Sequence, residues 1–352
     1  SEESRKRKLL ERMRNLLRLR VKALVLTAIF LIGIAGALSA QKIAIIDAGS
    51  SGSRLYVYEL NMTNKHLSVL CDGRESGEAL SEIVKDQNRI DDFLSRVANA
   101  YEDEDGDNDK IQLYVLATAG MRGVDKNVAN SFYQTIRTKA ISLNKYELKD
   151  IMTISGRYEG FCAWIAANFK NGKIAIDASR GLILKGADNP TYGILEIGGA
   201  SMQIAFKADG NSADYISRDG LGSIYSKSYL GCGVNSVFEK YKNNDPYNFN
   251  VDLNTVRELI PTNLLFWGLG GSIKAIFESR IDIDKYSSTN VRNQDLDGRH
   301  PHMNAEYIKY VTSSLALPLN DKLEEPENRS SWTEGAALDI LFGKIPEVYN
   351  NN

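Results

Sequence analysis

The chain has 352 residues, 43% hydrophobic and 25% charged, which fits about two folded domains and excludes a disordered or collagen-like chain. Its net charge of −2 is unevenly placed: residues 1–22 carry nine Lys and Arg against three acids, so the rest sums to −8. That acidic body offers no electrostatic footprint for nucleic acid. The three scattered cysteines, Cys71, Cys162 and Cys232, exclude a disulfide framework or a Cys-rich zinc site.

Residues 1–22 read as a basic, cytoplasmic-side segment. Residues 23–41 follow as 19 positions without a charge; at a 1.5 Å rise they nearly match the roughly 30 Å hydrocarbon layer of a bilayer. Basic residues ahead of an apolar stretch hold that side in the cytoplasm. Residues 23–40 are therefore expected to be a signal anchor, or a signal peptide cut near Ala37-Leu38-Ser39-Ala40. The body is expected outside the cytoplasm, membrane-anchored in the first case and secreted or periplasmic in the second.

Next comes a strand, Ile43–Ile46, that ends in Asp47, a small-residue turn over 48–53, and a segment of alternating character over 55–60. The pattern returns at Ile194-Leu195, Glu196, the turn Gly198-Gly199-Ala200-Ser201, and the strand Met202–Phe206, with the acids 149 residues apart. A repeat that long predicts a domain duplication. Glycine lets a backbone approach closely, and successive N–H groups in a tight turn make an anion-binding nest. An acid at the strand end suits a hydrated divalent cation. Two such units facing one another would grip a polyphosphate chain. Between them, strands over 111–117 and 151–154 end in Thr118–Arg122 and Ser155–Glu159, and helical patterns run over 124–144 and 159–169. Four strand ends of this kind predict one shared cleft in an α/β fold.

The segments DAGSSGSR (47–54), LATAGMR (116–122), ISGRYEG (154–160), GGASMQIAF (198–206) and SWTEGAALDI (331–340) stand in this order. They resemble the five apyrase-conserved regions of the nucleoside triphosphate diphosphohydrolases, and SYLGCGVN (228–235) resembles another stretch of that family. The resemblance implies an actin/hexokinase-like α/β fold, a duplication of two ribonuclease-H-like domains with the nucleotide between them. Domain I is expected over 41–170 plus 331–345, and domain II over 171–330. It also implies hydrolysis of terminal phosphates from nucleoside tri- and diphosphates with Mg²⁺ or Ca²⁺. Glu159 takes the role of general base, and Ser201, Gln203 and Thr118 position the water. Ser50, Ser51, Gly52, Ser53 and Arg54, with Ala119 and Gly120, and Gly198, Gly199 and Ala200, hold phosphates. Asp47 and Glu196 bind the cation, largely through water.

The chain departs from the family in having Glu196 for Asp, Met202 for Thr, and Glu334 for a hydrophobic residue. The last fits a capping box with Ser331. Two alternatives stay open: an exopolyphosphatase-like phosphohydrolase, and a catalytically inactive tethered nucleotide-binding protein. Aromatics of the second half, Tyr225, Tyr229, Tyr241, Tyr247, Phe249, Phe266 and Trp267 among them, include candidates for base stacking. The acidic run 102–109 reads as a solvated loop and His300 and His302 as loop residues. Asn61-Met62-Thr63 and Asn328-Arg329-Ser330 are glycosylation sequons.

Overall fold

The computed structural model describes residues 40–102, 110–186, 190–244, 246–279, 301–319, 321–325 and 330–350, with 18 and 22. The expected signal segment apart from Ala40, the acidic run beyond Glu102, His300, and Asn328-Arg329 lie outside the described residues. Among the described residues no helix is long and apolar enough to cross a membrane. The chain divides into two compact units, residues 1–41 with 59–68, and residues 42–58 with 69–352. Within the first, Asn61 Oδ1 accepts from the Thr63 and Asn64 amides at 2.9 and 3.3 Å, an Asx turn. The candidate site and the two cores described below belong to the second unit.

The first five strands are β1 (Gln41–Ala48), β2 (Ser53–Asn61), β3 (His66–Gly77), β4 (Ile111–Ala117) and β5 (Tyr146–Thr153). They form one sheet in the order β3-β2-β1-β4-β5, with β1, β4 and β5 parallel. Ile43–Ile46 are all buried, as a central strand covered on both faces requires. The helices of this half are α1 (Leu80–Ile83), α2 (Ile90–Asn99), α3 (Ala119–Arg122) and α4 (Lys126–Ala140). Helix α4 starts where Asp125 Oδ1 accepts from the Asn127 and Val128 amides at 2.9 and 3.1 Å. Its Phe132, Ile136 and Ala140, spaced by one turn, join Leu113, Val115 and Phe93 in the first core.

Helix α5 (Gly156–Lys170) leads to a two-stranded hairpin, β6 (Ile174–Asp177) and β7 (Gly181–Leu184). Then come β8 (Gly193–Ile197), β9 (Ser201–Lys207), β10 (Tyr215–Arg218), β11 (Gly222–Leu230), β12 (Phe266–Leu269) and β13 (Leu323–Glu324). Their order is β10-β11-β9-β8-β12-β13. Apart from the edge strand β10, this repeats the first sheet. The leading strand is central, strands that follow it in the chain lie on one side, and two parallel strands lie on the other. The molecule is thus the duplicated, actin/hexokinase-like α/β fold. Helices α6 (Val234–Tyr241), α7 (Asn254–Leu259), α8 (Gly271–Ser279) and α9 (Pro301–Leu315) belong to this half. Met202, where the resemblance places Thr, is fully buried in its core opposite Ile197. An apolar side chain suits that place.

Helix α10 (Trp332–Leu341) packs on α5, and both are buried on nearly every face. A helix buried all round cannot show a polar stripe, so neither carries a strong amphipathic signal. Their backbones meet at Gly335, where a Cβ would run into the Cys162 carbonyl. Tyr158 donates to Asp339 at 3.0 Å, and Arg218 donates to both Asp339 oxygens at 2.9 and 3.0 Å. The expected capping box is half present. Ser331 Oγ accepts from the Thr333 amide at 3.3 Å, but the buried Glu334 carboxylate pairs with Lys170 at 3.1 Å.

Candidate active site

Asp47 stands near the end of β1, and its loop is a tight turn in which the Gly49 amide donates to Gly52 O at 3.0 Å. The Thr118 amide donates to Ala48 O at 3.1 Å, tying the end of β4 to this loop. Gly120 makes the fit possible, since a Cβ there would come within 2.9 Å of Ser50 Cα. Glu196 on β8 faces Gln203 across the antiparallel pair with β9. In the second hairpin the Gly198 amide donates to Ser201 O at 3.0 Å. The Val234 and Asn235 amides then donate to Gly198 O and Gly199 O, each at 2.9 Å. This explains the SYLGCGVN segment: it buttresses the second hairpin, and Gly233 lies where a Cβ would strike the backbone of residues 199–201.

The two hairpins border one cleft of about 600 Å³. Of the residues singled out in the sequence, Asp47, Ser50, Ser51, Arg54, Thr118, Ala119, Glu159, Glu196, Gly198, Gly199, Ala200 and Ser201 line it. Gly52, Ser53, Gly120 and Gln203 are not part of its lining. Ser53 is fully buried and its hydroxyl donates to Glu78 O at 2.8 Å. Gln203, also buried, donates from Nε2 to Ser201 Oγ at 2.7 Å, to Ser228 Oγ at 3.1 Å and to Glu159 Oε2 at 3.4 Å.

Glu159 occupies the first turn of α5, whose N-cap Ser155 accepts from the Tyr158 amide at 3.0 Å. Sequence reasoning missed its main partner. Arg122 Nη2 donates to Glu159 Oε2, while Arg122 Nε donates to Ile154 O at 3.0 Å. Both described bonds to the Glu159 carboxylate fall on Oε2. Asn235 and Trp332, inside recognised segments but not singled out, and Tyr56, two residues past the first segment, also line the cleft.

The acids sit in a low-dielectric, acid-rich place. Burial, then the Glu159 charge, raises Asp47 to about 7, against the lowering influence of Arg54, Trp332 and Arg122. Burial, then Glu159 and Asp47, raises Glu196 to about 8. Asp47 Oδ1 and Glu196 Oε2 are out of reach of solvent and have no hydrogen-bond partner. Buried carboxylate oxygens left this way are costly unless a cation answers them. Among the described residues no three His, Cys, Asp or Glu gather to hold a metal directly, so a cation at Asp47 and Glu196 would take its remaining ligands from water or phosphate oxygen.

The cleft is also bordered by Gly270, Gly271, Ser272, Ala275, Ile276 and Asn304. None of the seven aromatics named as stacking candidates is part of the lining. They pack elsewhere: Phe206 meets Tyr225 and Phe266, Trp267 stacks on Tyr192 at 4.5 Å, and Phe249 touches Tyr241, Tyr247, Tyr307 and Tyr310. Core packing claimed these rings.

The sequence profile of the GDA1/CD39 (nucleoside phosphatase) family matches residues 39–258. Nucleoside-triphosphatase ntp-1 of Caenorhabditis elegans is 27% identical over 228 residues, 56% of this chain and 40% of the relative. Ectonucleoside triphosphate diphosphohydrolase 4 of Homo sapiens is 24% identical over 316 residues, 80% of this chain and 47% of the relative. The chain thus spans under half the length of each. Among solved structures, a Ppx/GppA family member of Aquifex aeolicus superposes with a TM-score of 0.52 at 15% identity, covering 86% of this chain and 98% of that one. That likeness speaks for the shared fold.

Proposed function

The chain belongs to the GDA1/CD39 (nucleoside phosphatase) family, and from that premise we propose that it hydrolyses the terminal phosphates of nucleoside tri- and diphosphates. One observation carries the reading: two matched hairpins, each with an acid that has one buried oxygen without a partner, border the same cleft as Glu159. Phosphoryl transfer asks a protein for positioning and charge neutralisation more than for covalent chemistry. The backbone N–H groups of Ser50, Ser51, Gly199 and Ala200, all at the cleft, receive phosphate oxygens, and Arg54 adds a positive charge. Glu159, held through Oε2 by Arg122 and Gln203, takes the water's proton on Oε1. Ser201 and Thr118 orient that water, with Gln203 fixing Ser201. Asp47 and Glu196 are the residues that would hold Mg²⁺ or Ca²⁺. Such an ion, when bound, neutralises charge on the polyphosphate.

Residues 41–170 with 331–345 serve in this reading as one lobe and residues 171–330 as the other. Residues 23–40 carry the body out of the cytoplasm, as an anchor or a cleaved signal. The test is phosphate release from ATP, ADP, GTP, UTP and long-chain polyphosphate, with and without a chelator. The reading expects nucleotide turnover that a chelator abolishes. Preference for polyphosphate over every nucleotide would replace it with an exopolyphosphatase, and nucleotide binding without turnover would leave a binding protein.

A further inference from the structure

The segment after α10 carries no motif, yet it is built onto the start of the helix that bears Glu159. Val348 bridges Ile154 in antiparallel fashion. Around that bridge the Ser155 amide donates to Glu347 O at 2.8 Å, and the Tyr349 amide donates to Thr153 O at 2.8 Å. The tail therefore extends the edge of the first sheet at the point where β5 hands over to α5.

The Glu347 side chain then closes on the helix start. Its Oε1 accepts from Ser155 Oγ at 2.5 Å and from Arg157 Nε at 2.9 Å. Its Oε2 accepts from Arg157 Nη2 at 2.5 Å. Burial pushes this carboxyl up, but Arg157 and Ser155 more than offset that and hold it below the usual range. A negative charge is also well placed at a helix N-terminus. With its proton committed to Glu347, Ser155 Oγ turns its lone pairs to the Tyr158 amide, and Ser155 O accepts from the Glu159 amide at 3.1 Å. From the other side, Ser226 Oγ donates to Arg157 O at 2.6 Å.

Two routes lead from the tail to Glu159. One runs through Ser155 and the first helical turn. The other runs through Ile154, which pairs with Val348 and whose carbonyl holds Arg122, the partner of the Glu159 carboxylate. We propose that Glu347 is a positioning residue: it clamps the first turn of α5 and so sets the Glu159 carboxylate against the attacking water. This rests on the reading of Glu159 as general base.

This ion pair, about one-third exposed on both sides, contributes on the order of 1 kcal/mol to stability, whereas a base displaced by about 1 Å loses on the order of 10²-fold in rate. The two roles therefore separate. Wild type, Glu347→Ala, Glu347→Gln and the control Ile345→Ala, at a residue 80% exposed in the same tail, are compared in steady-state ATP and ADP hydrolysis and in amide exchange. Glu347→Ala should lower kcat by about 10–30-fold with KM within about twofold, a partial displacement of the base. Amide exchange at Tyr158 and Glu159 should quicken in that variant and not in Ile345→Ala. Glu347→Gln, which keeps an acceptor for Ser155 Oγ, should recover most of the rate. A Glu347→Ala enzyme with kcat within twofold of wild type, or with unchanged exchange at 158–159, overturns the proposal alone. A folded wild type that releases no phosphate overturns the nucleotidase reading and this proposal with it.

Discussion

The two cleft acids, each with a buried oxygen, make the stability of the cation-free protein depend on pH in a direction opposite to ordinary acid denaturation. Asp47 holds its proton to about pH 7 and Glu196 to about pH 8, whereas in the unfolded chain both titrate near pH 4. Their folded values are raised, so the folded state binds the protons more tightly. The stability this supplies is complete below about pH 4 and is lost as pH rises through 7 and 8. Between about pH 5.5 and 8.5 the loss, at roughly 1.4 kcal/mol per pH unit for each group up to its folded value, is on the order of 5 kcal/mol. For a chain of this size that corresponds to about 7 °C in Tm. A divalent cation at the site binds the charged forms and restores the loss. Tm measured from pH 5.5 to 8.5 in chelator and in saturating Mg²⁺ should give two curves that diverge as pH rises. The double variant Asp47→Asn/Glu196→Gln should lose the divergence. Curves that stay parallel, or converge toward alkaline pH, would refute the reasoning.

Asp47→Ala should raise the Mg²⁺ or Ca²⁺ concentration for half-maximal hydrolysis by about tenfold or more, one tenfold step being about 1.4 kcal/mol of lost binding; an unchanged metal titration counts against the site. Glu196→Asp, a shift of one methylene, should stay within about tenfold of wild-type kcat or exceed it, and a collapse in rate would show that the longer arm is required. Gly335→Ala should cost about 2–4 kcal/mol in denaturant unfolding, because its Cβ meets the Cys162 carbonyl; a neutral effect would mean the helices separate freely. Phe249→Ala should cost about 3 kcal/mol of stability and leave KM for ATP, GTP and UTP within about threefold. A tenfold rise in KM would return the ring to the nucleoside.

The parts of the site legible in the sequence were those with a local reason. An acid at a strand end followed by Gly and Ser announces both hairpins, and Ser331 announces a helix start. Arg122 was inside a recognised segment, but its bond to Glu159 spans 37 positions, and nothing local predicts such a pairing. Glu347 was less visible still, lying in a short polar tail whose partners are 190–192 residues away. Glu334 shows the converse failure. The Ser331–Glu334 spacing suits a capping box, yet Lys170 on the neighbouring helix is within reach, and a buried carboxylate takes the cation. The aromatics of the second half misled for a similar reason: composition reveals rings, but only the fold decides whether they line a cleft or fill a core. Strand β3 was overlooked because Asp72, Gly73, Arg74 and Glu75 interrupt any apolar alternation.

The central claim is that Glu159 takes the proton of the attacking water, and Glu159→Gln tests it most directly. The amide keeps the size of the side chain and an oxygen for Arg122 and Gln203, and removes the proton acceptor. Pre-steady-state and steady-state phosphate release from ATP, alongside calorimetric nucleotide binding, gives both quantities on one preparation. The account predicts that kcat falls about 10²–10⁴-fold while nucleotide affinity stays within about threefold. Turnover within tenfold of wild type, with binding intact, would contradict it.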